Sequence, residues 1–189
     1  GIIGAGSMGI GIAQIASAAD CNVFLFDQNK SATHQAIKKL EKVLTRLIEK
    51  GKISPIKKDS ILSNIKIVES LESMKDSDLI IEAIIENSDA KKEIFCQIEP
   101  IVSKDCVLAT NTSSISITSL GSCLKNPTRL IGIHFFNPAP IMPLVEIIPA
   151  LQTNNNLVKE IHQLLLNWNK KPVVAKDTPG FIVNRIARP

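Results

Sequence analysis

Short apolar runs separated by polar and turn-forming residues recur along the chain, at 1–3, 23–26, 65–68, 79–83, 107–109, 130–133, 144–148 and 172–174. They are rich in Ile, Val and Leu and do not alternate with polar residues, the pattern of strands covered on both faces. Between them, segments 8–18, 36–48, 90–98 and 157–168 carry apolar residues at three- and four-residue steps, the period of amphipathic helices. Strand alternating with helix predicts an α/β architecture with a doubly wound, mainly parallel sheet. The asparagines at 154–156 read as a loop leading into the last of these helices. Near the end, "KDTPGFIVNRIARP" punctuates at Pro179-Gly180 and then starts a new apolar helical pattern. Residues 1–178 are expected to form one domain, and 179–189 the beginning of a helical second domain.

Composition adds bounds. The 189 residues are 44% hydrophobic, enough for one well-buried domain. No apolar run is long enough to span a bilayer and no signal-peptide pattern is present, which makes the cytoplasm the expected compartment. The four cysteines, at 21, 96, 106 and 123, form no CxxC pair and read as small reduced core residues. The three histidines (34, 134, 162) have no ligand spacing with them, so no metal site is expected. Charge is uneven. Lys38, Lys39, Lys42, Arg46, Lys50, Lys52, Lys57 and Lys58 face only Glu41, Glu49 and Asp59 in the same stretch, which hints at an anionic partner.

The chemistry begins at "GIIGAGSMGIGIAQIASA". Gly4, Gly6 and Gly9 stand in GxGxxG spacing between a strand and a helix. The first glycine permits the tight turn, the second clears the approach of a pyrophosphate, and the third allows the helix to pack against the strand. Ser7 and Met8 open that helix, whose amides suit an anion. The next strand, "NVFLFD", ends in Asp27, 21 residues after Gly6, where a carboxylate can accept hydrogen bonds from ribose hydroxyls and repel a 2′-phosphate. No arginine follows it, so NAD is favoured over NADP. This is the signature of a Rossmann-type dinucleotide domain; the alternative is that the glycines serve turn geometry alone and Asp27 caps a helix.

Absences narrow the reaction. With no tyrosine in the chain, a tyrosine–lysine proton donor cannot operate within it, and the cysteines cannot build a catalytic zinc site. Histidine remains as the acid–base group. His34 and His162 lie on charged or amphipathic helices and read as surface residues. His134, in "LIGIHFFNPAP", follows a buried strand at its expected carboxyl end, where open α/β sheets bind ligands. Twelve residues on, Glu146 stands inside the apolar "VEII". A carboxylate there needs a partner, and a bond to His134 would supply one, fix the imidazole tautomer and raise its basicity. On this reading His134 is presented to a substrate rather than packed.

Five motifs, "GAGSMGIGIAQ", "DLIIEAIIEN", "ATNTSSISIT", "HFFNPAPIMPLVEII" and "KDTPGFIVNRIARP", occur in an order and spacing that resemble the 3-hydroxyacyl-CoA dehydrogenase family across all 189 residues. The last two look nearest to its bacterial 3-hydroxybutyryl- and 3-hydroxyadipyl-CoA branch. The resemblance implies NAD as cofactor and oxidation of an (S)-3-hydroxyacyl-CoA to its 3-oxoacyl-CoA. It makes His134 the base that takes the 3-hydroxyl proton and Glu146 its carboxylate partner. It places Ser113 and Asn184 on the substrate and Glu86, Lys91, Ser113 and Asn137 along the cofactor cleft. Without the resemblance, Ser114 would read as a helix cap, and Glu86 and Lys91 as ordinary charges at a helix start. Lys50 matches a family lysine that contacts coenzyme A, although Val43 replaces a family serine on that helix; a merely solvated basic face is the alternative. The resemblance also implies a homodimer formed through the helical domain, with no nucleic-acid or membrane partner. Two rivals stay open: a non-catalytic relative of the lambda-crystallin kind, and the dehydrogenase segment of a multifunctional β-oxidation protein.

Overall fold

The computed structural model describes residues 1–187; Arg188 and Pro189, the end of the last motif, lie outside the described residues. Eight strands form one sheet: β1 (Ile2–Ile3), β2 (Val23–Phe26), β3 (Ile65–Ile67), β4 (Leu79–Glu82), β5 (Val107–Thr110), β6 (Leu130–Phe135), β7 (Leu144–Pro149) and β8 (Lys171–Val174). Their order is β3-β2-β1-β4-β5-β6-β7-β8. All neighbours are parallel except β6 and β7, which pair antiparallel. Each apolar run became a strand. Pro172, which cannot donate to a ladder, sits in the terminal strand β8, where one side needs no partner.

Helices cover both faces. They are α1 (Ser7–Ala18), α2 (Lys30–Glu49), α3 (Pro55–Ser63), α4 (Ser88–Ile98), α5 (Ile117–Gly121), α6 (Asn155–Asn167) and α7 (Val183–Ala187). One apolar cluster joins Ile12 and Leu44 to Ile133 and Leu165, and the other joins Phe95 and Ile98 to Leu108 and Leu130. Because β1 lies between β2 and β4, the strand order reverses there, and a crevice opens at the carboxyl ends of these strands.

Several elements depart from the sequence reading. Helix α2 begins at Lys30, six residues before its periodic stretch, because the Asn29 side chain accepts from the Ser31 amide and starts the helix on polar residues. Helix α3 was not anticipated, though Ser54 caps it and Pro55 opens it. Asn154 is the cap of α6, so Asn155 and Asn156 lie within its first turn rather than in a loop. The cysteines are free, but only Cys106 is buried; Cys96 is exposed on α4, and Cys21 and Cys123 are half-buried in connections. Their small size does not place them in the core.

Candidate active site

The glycine loop is built by packing from beneath and left open above. Gly4 has φ of +106°, and a Cβ there would lie 2.5 Å from the Ala83 carbonyl oxygen. A Cβ on Gly9 would fall 1.8 Å from the Gly4 oxygen, so nothing larger lets α1 approach β1. Gly6 differs. It is exposed, and a Cβ would meet nothing within 4 Å. Packing therefore explains Gly4 and Gly9, whereas the bare backbone at Gly6, the cap position of α1, is the surface that an approaching pyrophosphate requires. These residues fit the dinucleotide they imply.

Asp27 buttresses the same loop. Its Oδ2 accepts from the Ala5 amide at 2.8 Å and its Oδ1 from the Asn29 amide at 2.9 Å. The helix cap of α2 is Asn29, not Asp27. A carboxylate has four acceptor positions, so capacity remains for two hydroxyls. Asp27, Gly6, Ser7 and Met8 line one cavity of about 540 Å³ with Ile84 and Ile94 opposite.

Beside this crevice lies a chain of charges that the sequence disclosed only in part. Glu82, fully buried at the end of β4, accepts from Lys91 Nζ at 2.6 Å, Thr110 Oγ1 at 2.7 Å and the Ile84 amide at 2.7 Å. Lys91, 1% exposed, also lies 3.4 Å from Glu86. Glu86 Oε1 in turn accepts from Thr112 Oγ1, the Ser113 and Ser114 amides and both serine hydroxyls. Burial alone would raise the Glu86 pKa, yet these bonds and the Lys91 charge together hold it below the ordinary carboxylate value. Glu86 and Lys91 are thus not ordinary helix-start charges, and Ser114 caps no helix; Ser116 caps α5. Glu82 was missed, although an acid closing the apolar run "LIIE" was its signal.

The antiparallel register sets His134 directly opposite Glu146. Nδ1 of the imidazole lies 2.7 Å from Oε2 of the carboxylate, and both side chains are buried. An ionised carboxylate only accepts, so Nδ1 donates and Nε2 keeps the lone pair. His134 lies within β6 rather than after it, and at 6% exposure it is packed as well as oriented. The expected contrast between presented and packed does not hold. Phe136 and Phe181 flank the ring at centroid distances of 4.5 and 5.8 Å.

The second oxygen of Glu146 reaches another element. Oε1 accepts from the amides of Ile182 and Val183, the start of α7, at 3.0 and 2.9 Å. That helix carries Asn184, whose Nδ2 donates to the Ser113 carbonyl at 3.1 Å. Asp177 binds the first turn of α5 through Ser116 Oγ and the amides of Ile117 and Thr118. His134, Glu146, Ser113 and Asn184 therefore belong to one connected cluster.

Residues 1–178 match the family described as 3-hydroxyacyl-CoA dehydrogenase, NAD binding domain. The chain belongs to the 3-hydroxyacyl-CoA dehydrogenase family. It is 41% identical over 188 residues to 3-hydroxybutyryl-CoA dehydrogenase of Clostridioides difficile, covering 100% of the chain and 67% of that protein. With 3-hydroxyadipyl-CoA dehydrogenase of Escherichia coli strain K12 it shares 40% identity over 188 residues, all of the chain but 40% of the relative. The crystal structure of 3-hydroxybutyryl-CoA dehydrogenase from Escherichia coli K12 superposes with a TM-score of 0.97 at 40% identity, covering 99% of this chain and 40% of that one. The chain thus spans between two fifths and two thirds of these relatives.

The match to that NAD-binding domain covers the glycine loop and Asp27. Asn137 is exposed at the turn after β6, three residues beyond His134. Lys50 is exposed at the carboxyl end of α2, and the structure does not bring it into the His134 cluster. His34 is exposed and His162 half-buried, both away from the dyad's strands. Among the described residues no group of His, Cys, Asp and Glu could hold a metal ion, and no helix is long and apolar enough to cross a membrane.

Proposed function

We propose that this chain is the NAD-binding and proton-transferring part of an (S)-3-hydroxyacyl-CoA dehydrogenase serving fatty-acid β-oxidation or a related acyl-CoA pathway. The observation that carries the reading is the 2.7 Å His134–Glu146 contact at the carboxyl end of β6, joined through α7 to Asn184 and Ser113. Nε2 of His134 takes the proton of the 3-hydroxyl group, and Glu146 stabilises the imidazolium that results. NAD, when bound, supplies the acceptor for the hydride leaving carbon 3. The Ser113 hydroxyl and the Asn184 amide hold substrate oxygens, while Gly4, Gly6, Ser7, Met8, Gly9 and Asp27 hold the adenosine half of the cofactor. Glu86, Lys91 and Asn137 line its nicotinamide end. Lys50 meets the phosphates of coenzyme A, a role suited to an exposed cation. The full protein works in the cytoplasm as a homodimer formed by helices beyond residue 178, with no nucleic-acid or membrane partner.

The test is NADH consumption by the full-length protein with acetoacetyl-CoA, beside NADH fluorescence titration of the 189-residue chain. Binding by the chain and turnover by the full protein are expected. A full-length protein that binds NADH but leaves every 3-oxoacyl-CoA unreduced would favour the crystallin-like reading.

A further inference from the structure

Lys170 is 6% exposed, and among the described residues no carboxylate pairs with it. Its Nζ donates instead to two backbone carbonyls, of Ala139 at 2.6 Å and Met142 at 2.9 Å. Desolvation lowers its pKa, as burial of an ammonium without a counter-anion must. Burying such a cation is costly, and two neutral acceptors offset that cost poorly. An apolar side chain would fill the same space without it. The position therefore gains something from the two bonds other than net stability.

What they fix is the turn between the two dyad strands. This turn runs from Asn137 to Pro143, joining β6, which carries His134, to β7, which carries Glu146. Its own bonds are few: the amides of Ile141 and Met142 both donate to the Pro138 carbonyl. From the other side the turn rests on α1. A Cβ on Gly11 would lie 3.1 Å from Ala139 Cβ and 3.2 Å from Pro140 Cδ. The turn is thus held between the phosphate-binding helix and the buried ammonium.

We propose that Lys170 is a positioning residue for the cofactor: from the connection between α6 and β8 it holds the 138–142 turn in place and so fixes the position of Asn137, which opens that turn. The proposal rests on the reading of Asn137 as a wall of the cofactor cleft. Lys170 touches neither cofactor nor substrate; it acts through the turn. In Lys170→Met the buried Ala139 carbonyl and the half-buried Met142 carbonyl lose their donor and the turn relaxes outward. Gly11→Ala displaces the same turn from the opposite face by a few tenths of an ångström.

The experiment is steady-state kinetics of the full-length enzyme with NAD varied, for wild type, Lys170→Met, Gly11→Ala and the double variant, beside NADH fluorescence titrations. The KM for NAD and the NADH Kd should each rise roughly tenfold in Lys170→Met, with kcat and the acyl-CoA KM within about twofold. Gly11→Ala should move the same constants in the same direction, and the double variant should fall short of the product of the single effects, because both act on one turn. A folded Lys170→Met enzyme with unchanged NAD constants overturns the proposal. So do strictly multiplicative effects in the double variant. Should Lys170→Met fail to fold, Gly11→Ala decides alone: an unchanged NAD KM overturns the role of the turn. A wild type that does not bind NADH overturns the cofactor reading itself, an outcome distinct from all of these.

Discussion

Asn184 donates its side-chain amide to the backbone carbonyl of Ser113 at 3.1 Å. The first helix beyond the predicted domain boundary is thereby fastened to the serine loop after β5. One amide proton and the side-chain oxygen of Asn184 remain for a substrate. Asn184→Ala should lower kcat/KM for the acyl-CoA roughly tenfold or more while leaving NADH affinity unchanged. Parallel titrations of both ligands decide it; a loss shared equally by the cofactor would refute a substrate-side role.

His134→Gln should reduce kcat by about 10²–10⁴-fold with NADH affinity nearly intact, because an amide holds the ring's place without its basicity. Glu146→Gln should act in the same direction and less severely. The motivating contact is the 2.7 Å bond between these side chains. Single-turnover rates beside cofactor titration provide the check, and near-normal turnover in the histidine variant is incompatible with the assignment.

The glycines predict a sharp divergence between two alanine variants. Gly9→Ala must place a methyl 1.8 Å from the Gly4 oxygen, so the protein should fail to fold or lose several kcal/mol of stability. Gly6→Ala meets no atom within 4 Å and should melt as the wild type does, yet bind NADH more weakly, by roughly tenfold. Thermal denaturation and NADH titration of the pair separate the two. Equal destabilisation would show that Gly6 is a folding glycine like the others.

Asp27→Ala removes an acceptor from the cavity and a support from the loop, since its Oδ2 holds the Ala5 amide. NAD binding should weaken and the preference over NADP should narrow. Comparing kcat/KM for the two cofactors in wild type and variant tests this. Comparable use of NADP by the wild type would contradict the role given to the carboxylate.

Acid should loosen the site before the core. Glu86 and Asp177 both have pKa values below their ordinary ones: desolvation opposes the shift in each, and the converging donors outweigh it. Groups more acidic when folded contribute fully above the unfolded carboxylate range, and that contribution is lost as pH falls through their folded values. The contribution of these two groups should therefore be level from neutrality down to about pH 4.5, the ordinary value for a glutamate, and fall below it. Glu86→Gln and Asp177→Asn should flatten that acid limb in urea titrations. An unchanged limb would place the acid sensitivity elsewhere.

The strands were legible because each is a dense apolar run, and the dinucleotide loop because Gly4 and Gly9 admit no side chain. Less legible were features fixed by tertiary neighbours. Lys91 looks like any charge in the first turns of a helix, and only the return of α4 over the end of β4 shows that it lies between two carboxylates. The sequence puts His134 one step beyond its strand because the apolar run stops at Ile133, whereas the ladder continues to Phe135 through register with Val145. Helix α3 is hard to read from sequence because its few apolar residues give it little periodicity; its cap, Ser54-Pro55, is the better signal. Lys170 carries no sequence mark at all. Its character comes entirely from the two carbonyls that fold over it.

Glu146 spends one oxygen on the imidazole and the other on the amides of Ile182 and Val183. Linkage then demands reciprocity: whatever free energy the imidazolium gains when those amides are in place, the start of α7 gains when the imidazole is protonated. The His134–Glu146 contact and the attitude of the helix bearing Asn184 are consequently coupled through one carboxylate. Loss of either contact is therefore expected to loosen the other.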